Sequence, residues 1–295
     1  MEFDENVVDW LLENDNPAIE YRTRIELLNE KADNSKVINW INNILPNDWK
    51  KTKGLWLTYY YNAIAECGID GHEFGIKKND ILKYLENNPF KYGCGDFMLL
   101  RSLIMLEFEK EIHNFGILEN LNSKQLLDGG FLCLHRLDKY KNMPKSCVKS
   151  NNLALLFLSE CKKKSINISI ENNLLQYYWK HNIFYRSTDF SSLILNAREG
   201  WRTIDTFYPF EVMRLGLQNI IEAFCVLGHG TDKRLKEAWN ILETKRDQNG
   251  KYILNGTLSK SYLPKEKVGK PSKWVTFYTL LAKKHKTKIT APNEA

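Results

Sequence analysis

Apolar positions recur at helical spacing along almost the whole chain, and no stretch alternates apolar and polar residues for long enough to read as a convincing strand. Five segments are apolar on nearly every side: LWLTYYYNAIAECG (55–68), FMLLRSLIMLEF (97–108), KSNNLALLFLSEC (149–161), VMRLGLQNIIEAFCVLG (212–228) and KWVTFYTLLAKK (273–284). Between them lie one-sided segments, among them NDILKYLENN (79–88), ENNLLQYYWKH (171–181) and DKRLKEAWNILETKR (232–246). A helix that is apolar all round must be enclosed, whereas an amphipathic one can face water. The alternation predicts an all-α protein in two layers, about five or six pairs of inner and outer helices, with NPAIEYRTRIELLNE (16–30) as an extra amino-terminal helix.

The punctuation between helices repeats. QLLDGGF (125–131) and RDQNGKY (246–252) align position for position, each a glycine turn followed by an aromatic residue, and KKTKGLW (50–56) reads as a degenerate third copy. Gly129 and Gly250 stand roughly two periods of about 60 residues apart, and a fixed period is the mark of repeat architectures. Asp96, Ser146 and Thr231 stand where helix N-caps are expected.

Composition narrows the class. The chain has 295 residues, 12% of them aromatic, and those rings must fill cores or line a pocket. The net charge of +6 comes largely from solvated lysines, such as Lys162, Lys163 and Lys164 and the tail after Lys283, a scatter that argues against a nucleic-acid face. The start of the chain is acidic, and no run of eighteen apolar residues occurs, so a cytoplasmic protein with reduced cysteines is expected. One domain over residues 1–285 with a polar tail at 286–295 is the simplest division.

The Gln-x-x-Asp-Gly-x-aromatic turn resembles the repeat of squalene cyclases and protein prenyltransferases. KSCVKSNNLALLFLSE (145–160), residues 207–252 and VGKPSKWVTFYTLLAK (268–283) are similar to the bacterial squalene-cyclase-like proteins known as prenyltransferase-repeat proteins, a branch without a settled reaction. The resemblance implies an α/α toroid, with inner and outer helices alternating around a central cavity. It also implies that aromatic side chains in that cavity hold an apolar substrate; Trp56, Tyr59, Tyr60 and Tyr61, Phe207, Tyr208 and Phe210, and Trp274, Phe277 and Tyr278 fall on the matching helices. The Asp-x-Asp-Asp acid of class II terpenoid cyclases and the acidic clusters that bind metal diphosphates are both absent, and the nearest acid is a lone Asp205 with Glu211 following.

Candidate chemistry concentrates in LLDGGFLCLHRLDKYKNMPKSCVKS (126–150), which gathers Asp128, Cys133, His135, Lys145 and Cys147. With Ser146 as N-cap, Cys147 would open an inner helix between Lys145 and Lys149, an environment that favours the thiolate. Three readings stay open: Cys147 as a nucleophile with His135 as base, with Asp128, Asp205 and Tyr208 as further catalytic groups; Cys133, His135 and Cys147 with Asp128 as zinc ligands; or a structural turn whose cysteines act as small hydrophobes. Zinc is the one conceivable cofactor, and none is required. Trp56, Tyr60, Phe207, Lys145, Trp274 and Tyr278 are the expected substrate contacts. Cys67, His72 and Cys94 fall at helix ends, His229 at a helix C-terminal turn, and Lys270 or Lys273 could hold an anion at a helix start. The leading expectation is an enzyme acting on a small, partly apolar molecule or a carrier-bound intermediate. The rival is a non-catalytic helical-repeat binding protein for a peptide, a protein partner or nucleic acid.

Overall fold

The computed structural model describes residues 3–132, 146–186 and 189–288. Thirteen α-helices lie among them. In chain order these are α1 (Glu5–Leu11), α2 (Pro17–Arg22), α3 (Ser35–Ile44), α4 (Leu55–Glu66), α5 (Lys78–Asn87), α6 (Cys94–Met105), α7 (Glu109–Asn114), α8 (Leu121–Lys124), α9 (Val148–Lys163), α10 (Glu171–Lys180), α11 (Leu217–Val226), α12 (Lys236–Glu243) and α13 (Lys273–Lys288). A short antiparallel hairpin, β1 (Tyr185–Arg186) and β2 (Asp189–Leu193), is the exception to the all-helical expectation. Its mostly exposed residues carry no buried alternation, which is why the sequence pattern did not reveal it.

Contacts divide the chain into two compact units, Met1–Trp40 with His181–Ala295, and Ile41–Lys180. In the second unit the apolar helices α4, α6 and α9 pack side by side in sequence order. Their enclosure explains their composition: α9 buries thirteen residues, including Ser150, Asn151, Asn152 and Ser159. The outer helices bury one stripe only, Ile81 and Leu85 on α5, and Leu174, Leu175, Tyr177 and Tyr178 on α10. Arg101 on α6 joins the three inner helices. Its guanidinium lies 2.6 Å from Glu66 of α4 and 3.6 Å from Glu160 of α9, and it donates to Asn62 Oδ1 at 3.2 Å.

In the first unit α11 packs on α13, α12 covers α11, and the 16–30 segment folds as α2 followed by a π-helical turn, Thr23–Leu27, against α13. Asn16 caps α2 through Ile19 N, and Arg22 places its guanidinium 4.7 Å over the Phe277 ring while donating to Tyr278 Oη at 3.0 Å. α11 begins at Leu217 and not near Val212, because the preceding strand-like chain bridges Phe207 to Gly256 and Thr206 Oγ1 donates to the Ile253 carbonyl. α13 runs to Lys288, past the start expected for the tail, and residues 289–295 of that tail lie outside the described residues.

The two glycine turns are built alike. Leu126 N donates to Gly130 O at 2.8 Å, and Asp247 N to Lys251 O at 2.8 Å; Gly129 N reaches Leu126 O, and Gly250 N reaches Asp247 O. Gly129 and Gly250 have φ of 88° and 81°, which favours glycine. The aromatics that follow, Phe131 and Tyr252, are fully buried, and each receives a hydrogen bond from the start of the next inner helix: Cys147 N to Phe131 O at 2.7 Å and Ser272 N to Tyr252 O at 2.9 Å. Each aromatic N–H also donates to a side chain one turn further on, Asn151 Oδ1 and Thr276 Oγ1. KKTKGLW does not make a third such turn. Gly54 is itself the N-cap of α4, and Trp56 is exposed where Phe131 and Tyr252 are buried.

The expected N-caps shift. Asp96 lies in the first turn of α6 and accepts from Gly93 N at 3.1 Å and Lys91 N at 2.9 Å, so it reaches back over the helix start while Gly93 holds the N-cap position. Asp232, not Thr231, caps the following 3-10 turn. Cys147, not Ser146, is the N-cap of α9, because the Ser146 side chain is drawn away to Asp128.

Candidate functional site at the start of α9

The Gln125–Phe131 turn and the start of α9 are tied together by Asp128. Its Oδ1 accepts from Gly130 N at 3.1 Å, and its Oδ2 accepts from Ser146 Oγ at 2.8 Å and Ser146 N at 3.4 Å. Gln125 Nε2 donates to Gly129 O at 2.7 Å and to Ile170 O at 3.1 Å, which anchors the turn to the entry of α10. Tyr177 of α10 lies beside Ser146, Asp128, Asn151 and Cys147, and burial pushes its hydroxyl up to about 12. Asp128 and Cys147 therefore flank Ser146 under a buried tyrosine that stays protonated at neutral pH. Cys147 is half-buried and contributes no side-chain cap to α9. Cys133, His135 and Lys145 lie outside the described residues.

Ser146 and Tyr177 were not legible as members of this cluster. Ser146 looks like a cap and nothing more, and Tyr177 sits on the apolar stripe of α10, where an aromatic reads as core.

The remaining candidates belong to the first unit or to α4. Asp205 is fully buried and bidentate on Arg202, with Nη2 to Oδ1 at 2.8 Å and Nε to Oδ2 at 3.1 Å. Burial acts to raise its pKa, but the hydrogen bonds and charge of Arg202 prevail and hold it below the ordinary aspartate range. A carboxylate so held is a poor proton donor, so Asp205 does not resemble a cyclase acid. Tyr208 stacks on Trp274 with ring centroids 4.5 Å apart, Tyr278 packs 6.1 Å from Tyr208, and Phe207 meets Trp201 edge-on at 5.4 Å. The three expected contacts here, Phe207, Trp274 and Tyr278, and the catalytic candidate Tyr208 are buried against one another or their neighbours. Trp56 is 44% exposed, with Tyr59 edge-on at 5.5 Å, and Tyr60 is half-buried between Trp49 and Trp56.

The anion site expected at the start of α13 is filled from within. Glu266 accepts from Lys273 N at 2.7 Å and bonds Ser272 Oγ, while Lys273 Nζ pairs with Glu13 at 3.1 Å and with Asp15. Burial pushes the Glu266 carboxyl up, against the hydrogen bonds from Ser272 and the helix N–H groups. Cys67, Cys161 and Cys225 are buried, and burial pushes the thiols of the latter two up. Gly228, with φ of 93°, ends α11, and His229 N closes the turn on Phe224 O at 2.9 Å.

Among the described residues no group of three His, Cys, Asp or Glu side chains could hold a metal ion, and two of the three expected ligands, Cys133 and His135, lie outside them. No helix among the described residues is long and apolar enough to cross a membrane. Compared with known families, curated proteins and solved structures, the chain matches none.

Proposed function

We propose that this chain is an enzyme of α/α-toroid type acting on a small, partly apolar molecule, with Cys147 as its reactive group. The observation that carries this reading is the pairing of the two repeats. Cys147 and Ser272 occupy equivalent places, each donating its N–H to the carbonyl of the buried aromatic of the preceding turn. Ser272 uses its side chain as a cap, accepting from Val275 N at 3.0 Å, whereas Cys147 caps nothing. A residue that breaks the local stability rule without structural gain is a candidate for function.

In this reading His135, on the segment before α9, takes the Cys147 proton, and the thiolate adds to a carbonyl carbon of the substrate as the C=O π pair moves onto oxygen, which the His135 imidazolium then protonates. Tyr177 serves as a protonated hydrogen-bond donor, and Asp128 holds the turn that presents the thiol. Squalene-cyclase-like and prenyltransferase-like repeats would set five inner helices, α4, α6, α9, α11 and α13, around one cavity, and a transferase or cyclase reaction in biosynthesis fits that frame. The class II acid is missing from the sequence, so protonation of an alkene is not the proposed step.

The rival, a non-catalytic helical-repeat protein that binds a peptide, a protein partner or nucleic acid, draws its support from Tyr208, Trp274 and Tyr278, which pack on one another, and from Phe207, which packs on Trp201. The two readings separate in one experiment. Purified protein is incubated with a small-molecule extract, and the mixture is followed by mass spectrometry beside Cys147→Ser. The enzyme reading expects a species consumed by the wild type and untouched by the variant. Enrichment without turnover, equal in both proteins, would support the binder. Zinc that is retained by the wild type and lost from Cys147→Ser would assign the thiol to a metal site.

A further inference from the structure

The start of α4 and one side of α5 border a cleft of about 740 Å³, a size that suits a metabolite. Lys50, Lys51, Lys53 and Lys83 line it, and Asp80 is the one acidic residue in its wall. Lys50 is committed elsewhere, donating to Gly75 O at 3.1 Å and lying over the Trp49 ring. Lys51, Lys53 and Lys83 are exposed and make no ion pair among the described residues. Three uncommitted ammonium groups around one concave surface give it a positive potential. α4 adds to this potential: its N-cap is Gly54, which has no side chain to satisfy the first helix N–H groups.

Tyr61, one turn below Leu57 on the same face of α4, points to a ligand independently. It lines the cleft and is 5% exposed, yet its hydroxyl has no hydrogen-bond partner among the described residues. The ring is buried, and the hydroxyl, unpaired within the protein, is available to donate to a molecule in the cleft. Burial, and then the charges of Asp80 and Tyr84, push the Tyr61 hydroxyl up, so it remains a donor. Asp80 near this hydroxyl would repel an anion and accept from a ligand hydroxyl, which leaves the phosphate to the lysines.

We propose that this cleft binds a hydroxyl-bearing phosphate ester of glycerol-phosphate type, free or as a phospholipid headgroup. Lys51, Lys53, Lys83 and the first N–H groups of α4 hold the phosphate, and Tyr61 and Asp80 hold a hydroxyl. This site is distinct from the Cys147 cluster, and its test does not depend on any activity there.

The test uses glycerol 3-phosphate in calorimetry and, separately, flotation with phosphatidylcholine vesicles with and without phosphatidic acid. The proteins are the wild type, Lys51→Ala/Lys83→Ala, Tyr61→Phe and the control Lys110→Ala/Lys162→Ala, all substituted at positions whose charges or hydroxyl are free of structural pairing. Saturable binding of glycerol 3-phosphate, weakened about tenfold or more by the cleft double variant and severalfold by Tyr61→Phe but unchanged in the control, is the expected result. Binding to the acidic vesicles alone, with the same variant pattern, would identify the phosphate as a lipid headgroup and uphold the site. No binding to either probe, or binding weakened equally by the control, would overturn the proposal.

Discussion

Cys147 and Ser272 stand at the same point of two equivalent turns, so exchanging one for the other is a clean probe of what each residue is for. Cys147→Ser should supply the missing cap and raise stability by about 0.5–1 kcal/mol in denaturant unfolding. A loss of stability would mean that the thiol is itself a packing element, and the functional reading would lose its support. The glycines of the turns should differ in a defined way. A Cβ at Gly129 would be driven into the Asn173 carbonyl, whereas at Gly250 it would meet the ends of side chains, the Val7 methyl, the Arg246 guanidinium and the Asp4 carboxylate. Gly250→Ala should cost about 1–2 kcal/mol, the conformational term alone, and Gly129→Ala clearly more.

Asp205 offers a pH test at the same scale. Its folded pKa is depressed, so the Arg202 pair contributes stability that is complete above the ordinary value of 3.8 and is lost as pH falls through the folded value. Arg202→Leu should therefore melt well below the wild type at about pH 6, and the gap should shrink near about pH 3 as the orphaned carboxyl protonates in the variant. A gap that does not change with pH would show that the pair is not the source of the stability. The aspartates and cysteines were visible in the sequence, but their employment was not. Asp96, Asp128 and Asp205 are each taken up by backbone or guanidinium donors that only the folded turn brings near.

At the scale of the element, hydrophobic patterning identified the five inner helices and α2, α5, α10 and α12, because enclosure of a whole helix and burial of one stripe leave different periods in the chain, whereas α1, α3, α7 and α8 were not named. The polar residues on the enclosed helices were the blind spot. Asn62, Glu66, Arg101, Asn152 and Glu160 look like breaks in the pattern, yet they form the contacts between α4, α6 and α9 and from α9 to Tyr178 of α10. Arg101→Met should cost about 3–5 kcal/mol by removing the guanidinium that the buried Glu66 and Glu160 share, although Glu160 keeps Lys163 at 3.2 Å, and adding Glu66→Leu should recover a good part of that loss. Thermal unfolding of the three proteins decides it. A small cost for Arg101→Met would mean that water reaches the pair. The hairpin strands and the late start of α11 were hidden for different reasons: the hairpin buries no alternating face, and the start of α11 is set by pairing of residues 206–207 with the distant residues 253–256, which local periodicity does not record.

At the scale of the whole molecule, the repeat is the organising fact. Two turns built on the same hydrogen bonds, each feeding a buried inner helix, are what an alternating two-layer architecture requires, and the sequence displayed them as QLLDGGF and RDQNGKY. The proposed toroid extends that local rule to all five inner helices and gives Cys147 a cavity to face. A crystal structure of the protein purified without added ligand tests this most directly. The account predicts one closed ring of inner helices around a cavity, with the Cys147 thiol and Tyr177 on its wall. Inner helices packed around a centre filled solid by side chains, with the thiol turned to the outer surface, would contradict it.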